Sequence, residues 1–185
     1  MTRRGWFFIT YFAALGIGLS MTLHPAPRLI WNATASVPVG LYRLHPERRA
    51  HVGELVALRL PERDADRLAR GGYLPRGVPL LKPVAATGGQ TVCRTGSHIT
   101  VDGLGAGEAL TIDHRGRPLP VWQGCHRLGV QEIFVMNARE PRSLDSRYFG
   151  PLSVSSVIGR ATPLWVAADS MSATGFSPPR FSQDH

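Results

Sequence analysis

At 185 residues the chain is long enough for one domain with its own core and, once an apolar N-terminal stretch is set aside, too short for two sizeable ones. Its formal charge of +8 suits an anionic surface. The arginines are scattered, with no run of five basic residues, no zinc-finger spacing and no aromatic-basic RNA motif, which argues against a nucleic-acid partner.

The 20 glycines and 15 prolines are spread along the whole length and favour a mainly β domain of short strands, turns and few short helices. Arg3 and Arg4 precede residues 6–23, a stretch of mostly Phe, Ile, Leu, Ala and Gly without a charged side chain. As a helix it spans about 27 Å, close to the thickness of a bilayer's hydrocarbon core. The basic pair before it, against Arg28 and neutral His24 after it, places the N-terminus in the cytoplasm by the positive-inside rule.

The expected organisation is a cytoplasmic N-terminus and transmembrane anchor over residues 1–24, a domain outside the cytoplasm over 25–167, and an unstructured tail over 168–185, rich in Ser, Pro and Gly. The competing reading is a cleaved secretory signal, for which Ala33-Thr34-Ala35 offers a small-x-small site. Against it, the apolar run is longer than the usual signal core, and that site lies about ten residues past its end. An anchor would put Trp31 and residues 25–27 at the membrane interface, where an aromatic ring is well accommodated.

Residues 32–42 follow, with Ser36 among small residues and Pro38 and Gly40 close behind. Residues 53–60 read as a buried strand ending at Pro61, and 62–70 as a short surface helix stopped by Gly71-Gly72. Residues 79–84 return to apolar character around Lys82 and end at Gly88-Gly89. A strand over 97–103 leads into an Asp102-Gly103 turn, and glycine-rich 103–107 reads as a loop without a phosphate-binding pattern. Strands are expected at 132–136 and 159–165, with a polar segment over 137–147 between them. Cys93 and Cys125 are too far apart for a Cys-x-x-Cys site, and no His spacing completes a metal set. Outside the cytoplasm they would form a disulfide, stabilising the fold by roughly 3–4 kcal/mol in the chain-entropy model; otherwise they are two buried thiols.

A serine hydroxyl is a weak nucleophile without a positioned base. None of the seven histidines has a triad-like context. Lys82 is the only lysine in the chain and lies between Leu80-Leu81 and Pro83-Val84. Burial disfavours an ammonium and draws its pKa toward neutrality, whereas arginine cannot deprotonate. Lys82 is thus a candidate base for Ser36; the alternative is a lysine that snorkels from a strand edge.

Four stretches together carry a resemblance: Thr34-Ala35-Ser36-x-Pro38-x-Gly40-Leu41-Tyr42, Gly53-Glu54-Leu55-Val56, Lys82-Pro83-Val84-Ala85-Ala86 and Ser143-Leu144-Asp145-Ser146-Arg147-Tyr148-Phe149-Gly150. In this order they resemble the boxes of type I signal peptidases, and more closely their conjugative-transfer branch, the TraF-type peptidases that mature pilin subunits. The similarity runs from about residue 28 to about residue 166. It implies a signal-peptidase-like β domain tethered to the bacterial inner membrane, with a Ser-Lys dyad on the periplasmic side and no metal or organic cofactor.

Carried over by position, Ser36 is the nucleophile and Lys82 the general base. Thr34 and the Ser36 backbone N–H are the oxyanion donors, each worth roughly 3–4 kcal/mol in other enzymes. Ser143 is the serine that hydrogen-bonds the lysine, and Asp145 supports the site by pairing with Arg147. The chain departs from the pattern in four places. Only Val37 separates the nucleophile from its proline; Pro83 stands where an arginine is common; Gln90 replaces a common Asp. Met136-Asn137-Ala138-Arg139 stands for Gly-Asp-Asn-Arg, which leaves open any role tied to that Asp.

The expected function is a membrane-anchored Ser-Lys endopeptidase that cleaves a membrane-inserted precursor after small residues. By resemblance the substrate is a conjugative pilin precursor, with hydrolysis or pilin cyclisation as the outcome, and the partners are the bilayer and the transfer machinery. The alternatives are a general signal peptidase removing leader peptides and a non-catalytic anchored subunit of a secretion or transfer channel.

Overall fold

The computed structural model describes residues 2–22, 28–47 and 49–167. A helix α1 (Arg3–Thr22) opens the chain. Two antiparallel sheets follow, one of seven strands and one of four. The expected mainly β class holds, with α2 (Glu62–Arg70) and α3 (Ser146–Phe149) as short helices. The tail expected to lack structure lies outside the described residues.

The large sheet runs β1 (Leu29–Asn32), β2 (Gly40–His45), β11 (Val157–Val166), β3 (Leu55–Leu58), β4 (Leu80–Thr87), β9 (Glu132–Val135) and β10 (Leu152–Ser153) in spatial order. β3 is central and all four of its side chains are buried, as its unbroken apolar run requires. Val56 pairs with Lys82 across the β3–β4 ladder, which fixes the lysine in the middle of the sheet. Around it pack two apolar clusters, one with Val56, Leu58, Val84, Ile133 and Val135, the other with Val37, Tyr42, Leu55 and Leu81. α2 lies over the first cluster through buried Leu68. Its acidic residues Glu62 and Asp64 sit in the first turn and Arg67 and Arg70 in the last, matching the helix dipole.

β4 shifts register between Val84 and Ala86, and its second half pairs with β9. The chain then turns at Gly88-Gly89 into the small sheet, ordered β7 (Leu104–Glu108), β6 (His98–Val101), β5 (Thr91–Thr95) and β8 (Gly124–Arg127). The sequence reading of 103–107 as a loop is corrected here: Leu104–Glu108 is a strand paired with β6. Asp102 and Gly103 both take positive φ, 50° and 81°, the geometry of a two-residue type I′ hairpin that carries the chain straight back along β6. Cys93 and Cys125 face each other across β5 and β8 and are joined by a disulfide.

Among the described residues no helix is long and apolar enough to cross a membrane.

Candidate active site

Ser36 lies in the loop that joins β1 to β2, and little regular backbone pairing supports that loop. Side chains hold it instead. Asn32, buried at the end of β1, donates from Nδ2 to the carbonyls of Thr34 (2.8 Å), Val37 (3.0 Å) and Pro38 (3.1 Å). The Tyr42 hydroxyl, its pKa pushed up to about 12 by burial, donates to the Pro38 carbonyl at 2.6 Å. Val37 and Pro38 are buried, so the loop is pinned on one side of Ser36 by packing. Gly40 closes the loop where a Cβ would collide with the Trp165 carbonyl, so no other residue fits without displacing β11.

The Thr34 hydroxyl donates to Asn32 Oδ1 at 2.9 Å and stands 3.2 Å from Ser36 Oγ. Its single proton is committed to Asn32, so Ser36 donates and Thr34 accepts. In this arrangement Thr34 orients the Ser36 hydroxyl; donating to any other acceptor would require its own hydroxyl to turn.

Lys82 is 1% exposed, and its Nζ donates to Ser143 Oγ at 2.6 Å. Burial lowers its pKa from 10.5 to about 8, with nearby Asp145 opposing the shift, Arg147 adding to it and Glu140 opposing it. Lys82, Ser36, Thr34 and Ser143 line one cleft of about 820 Å³ with apolar walls from Leu68, Leu80, Leu110 and Leu144. Ser36 Oγ and Lys82 Nζ are directed at Thr34 and Ser143 rather than at each other. Such contacts commonly form only when substrate fills a site.

Ser143 is held by the segment between β9 and α3. Asp145, fully buried, caps α3 by accepting from the Arg147 N–H at 3.1 Å. Its two oxygens also take Arg147 Nε and Nη2, both at 2.9 Å. This fork is the strong form of an ion pair. The remaining guanidinium donors reach the carbonyls of Glu108 (3.0 Å), Asn137 (3.3 Å), Glu140 (2.8 Å) and Ser143 (3.1 Å). A buried charge is tolerable only with this degree of satisfaction.

Three further residues, given no role in the sequence reading, join the site. Asn32 is one. Asn137 is another: its Nδ2 donates to the Ser36 carbonyl at 2.5 Å and its N–H to Asp145 Oδ2 at 3.1 Å. The third is Arg94 on β5, 2% exposed, whose Nη1 donates to the Arg147 carbonyl at 2.6 Å. Asn137 is marked in the sequence only as a departure from the Gly-Asp-Asn-Arg pattern, and nothing in the contexts of Asn32 and Arg94 separates them from neighbouring polar residues. Among the described residues no group of three or more His, Cys, Asp or Glu side chains is placed to hold a metal ion.

Residues 1–166 match the family model for signal peptidase, peptidase S26. A probable conjugal transfer protein TraF of Sinorhizobium fredii is 36% identical over 140 residues, 70% of this chain and 73% of its own. A plasmid transfer protein TraF of Escherichia coli is 31% identical over 169 residues, 84% of this chain and 95% of its own. A crystal structure of a signal peptidase I from Enterococcus faecalis, 18% identical, superposes with a TM-score of 0.37 over 60% of this chain and 96% of that one.

Proposed function

The chain belongs to the peptidase S26 family of signal peptidases and is a serine peptidase; on that premise we propose that it processes a pilin precursor in plasmid conjugative transfer. The relatives named for conjugal and plasmid transfer support this role. The observation that carries the catalytic reading is the chain's only lysine, buried and facing a cleft that Ser36 also lines.

In this reading Lys82, neutral above its lowered pKa, takes the proton of Ser36 as Oγ attacks the scissile carbonyl. The Ser36 N–H, joined by Thr34 once its hydroxyl has turned, supports the developing oxyanion. The Lys82 ammonium then returns the proton to the departing amine. Water, or an amine of the same substrate in cyclisation, resolves the acyl-enzyme. Ser143 orients Lys82, and the Asp145–Arg147 pair holds Ser143.

In this reading the domain lies on the periplasmic face of the inner membrane, with residues 1–24 as anchor and the N-terminus in the cytoplasm. Two exposed tryptophans support a bilayer-facing edge: Trp31 on β1 and Trp165 on β11 stack at 5.7 Å beside exposed Leu29 and Leu164. Aromatic rings of this kind suit the headgroup region.

The test is processing of the cognate pilin precursor in cells carrying wild type, Ser36→Ala or Lys82→Ala, read by mass spectrometry. Both variants should accumulate precursor while still reaching the membrane, and the wild-type product mass separates a linear chain from one lighter by a water. Normal processing by either variant would sink the dyad assignment.

A further inference from the structure

The nucleophile and the base belong to separate parts of the chain, and their relative position must be fixed by something that joins the two. Residues 33–39 carry Ser36; residues 137–147 carry Ser143 and the Asp145–Arg147 pair that orient Lys82. Among the described residues a single hydrogen bond joins these segments, from Asn137 Nδ2 to the Ser36 carbonyl.

We propose that Asn137 is a positioning residue whose side-chain amide clamps the Ser36 carbonyl and so sets the nucleophile against Lys82. The inference rests on the peptidase reading above and adds to it a residue that reading did not use.

Asn137 is buried, and every polar group it has is spoken for. Its N–H goes to Asp145 Oδ2 at 3.1 Å and its carbonyl accepts from Arg147 Nη2 at 3.3 Å. Its Oδ1 accepts from the Arg139 N–H at 3.0 Å, which fixes the amide so that Nδ2 faces Ser36. The contacts form a continuous path: Ser36 carbonyl, Asn137, Asp145, Arg147, the Ser143 carbonyl, and the Ser143 hydroxyl that receives Lys82 Nζ. Breaking the first link leaves the base fully supported and frees only the nucleophile's peptide.

Chemistry limits what this position can hold. The Ser36 carbonyl needs a donor, which an amide supplies at every pH and a carboxylate does not. An acidic residue here would face the carbonyl as a second acceptor, and would donate only when protonated.

The experiment uses the full chain in detergent micelles and an internally quenched peptide with small residues before the scissile bond. Asn137→Ala should lower kcat about 10- to 100-fold at pH 9 with KM within about twofold, because the reacting groups are misaligned while the cleft is intact. Asn137→Asp should be lower still at pH 9, and its kcat relative to Asn137→Ala should rise as pH falls and the new carboxyl takes a proton. A residue that merely stabilised the fold would give two variants with the same pH profile.

Amide hydrogen exchange provides a second readout that does not depend on activity. Asn137→Ala should speed exchange within residues 33–39 and leave β3 and β4 unchanged. An unaltered kcat in Asn137→Ala, parallel pH profiles for the two variants, or unaltered exchange in the loop would each overturn the proposal. If wild type and Ser36→Ala treat the peptide alike, the peptidase reading itself fails and takes the catalytic half of the proposal with it; the exchange result still tells whether the clamp exists.

Discussion

β3 and β8 mark the two extremes of the molecule: every side chain of the first is buried, and every residue of the second is exposed. The large sheet has apolar clusters around Lys82, and in that setting it buries Ser143, Asp145 and Arg147 as well. The small sheet packs Val92 and Ile99 against Ala86 of β4 and Phe134 of β9, so much of its core is borrowed from the large one. Its outer strand β8 is fastened by the Cys93–Cys125 bond. The region that holds the chemistry therefore sacrifices stability to buried polar groups and recovers it by hydrogen bonding, whereas the region beside it relies on a covalent tie. Arg94 couples the two, because it sits next to Cys93 and holds the Arg147 carbonyl.

The sharpest way to break this comparison is to remove Lys82, the base we propose. Lys82→Met should reduce peptide cleavage by at least about 10⁴-fold, as losing a member of a nucleophile-base unit does elsewhere. It should also make the protein more stable at pH 7. The lysine's pKa falls from 10.5 to about 8 on folding, so below pH 8 the folded state carries the full cost of a buried ammonium, on the order of 3 kcal/mol. Between pH 8 and 10.5 the unfolded chain binds the extra proton, and wild-type stability rises with pH. Urea unfolding should show Lys82→Met ahead of wild type at pH 7 by up to that amount, less what is lost by stranding the Ser143 hydroxyl, with the gap closing by pH 10. A gap independent of pH would mean that Lys82 is not a strained base.

Next in size is Asp145→Ala, which leaves the Arg147 guanidinium buried without its carboxylate. Losing one partner of such a pair costs about 3–5 kcal/mol, and Asp145 also caps α3. Chemical denaturation should show that loss. Cleavage should fall too, because Ser143 and Asn137 are both positioned through Asp145 and Arg147.

How much of this was legible beforehand follows the same division. Lys82 stands out in the sequence as a lone lysine in an apolar strand, whereas Ser36 lies among small residues that an ordinary loop also has and takes its meaning from the later stretches around Lys82 and Asp145. Arg94 does not stand out, being one of many arginines, and Asn137 is marked only as a departure from the Gly-Asp-Asn-Arg pattern; only folding brings them to Arg147 and Ser36. β7 was read as a loop because Gly105 and Gly107 dilute its pattern, and its strand character comes from pairing with β6 across the Asp102-Gly103 turn. β2 was legible in principle, with Tyr42 and Leu44 alternating inward, but its partner β1 is too short to announce itself.

On the small-sheet side, replacing both cysteines by serine should lower stability by roughly 3–4 kcal/mol for a crosslink spanning 32 residues. Native-state hydrogen exchange should rise over β5 to β8 and stay low over β3 and β4. A loss of protection spread evenly over both sheets would dissolve the distinction between them.

The finest test lies at the rim of the cleft. Wild-type kcat/KM should rise with pH through about 8, because Lys82 accepts a proton only when neutral. Glu140 lines the cleft, and its charge holds the lysine's pKa above where burial and Arg147 alone would leave it. Glu140→Gln keeps the shape and removes the charge, so the acid limb should move to lower pH while the plateau rate stays close to wild type. The shift is small, because Glu140 is the weakest of the influences on Lys82 and faces solvent that screens it. Its sign is what counts: movement to higher pH would mean that another group governs the limb, and that the lowered basicity of Lys82 is not what sets the pH at which this site works.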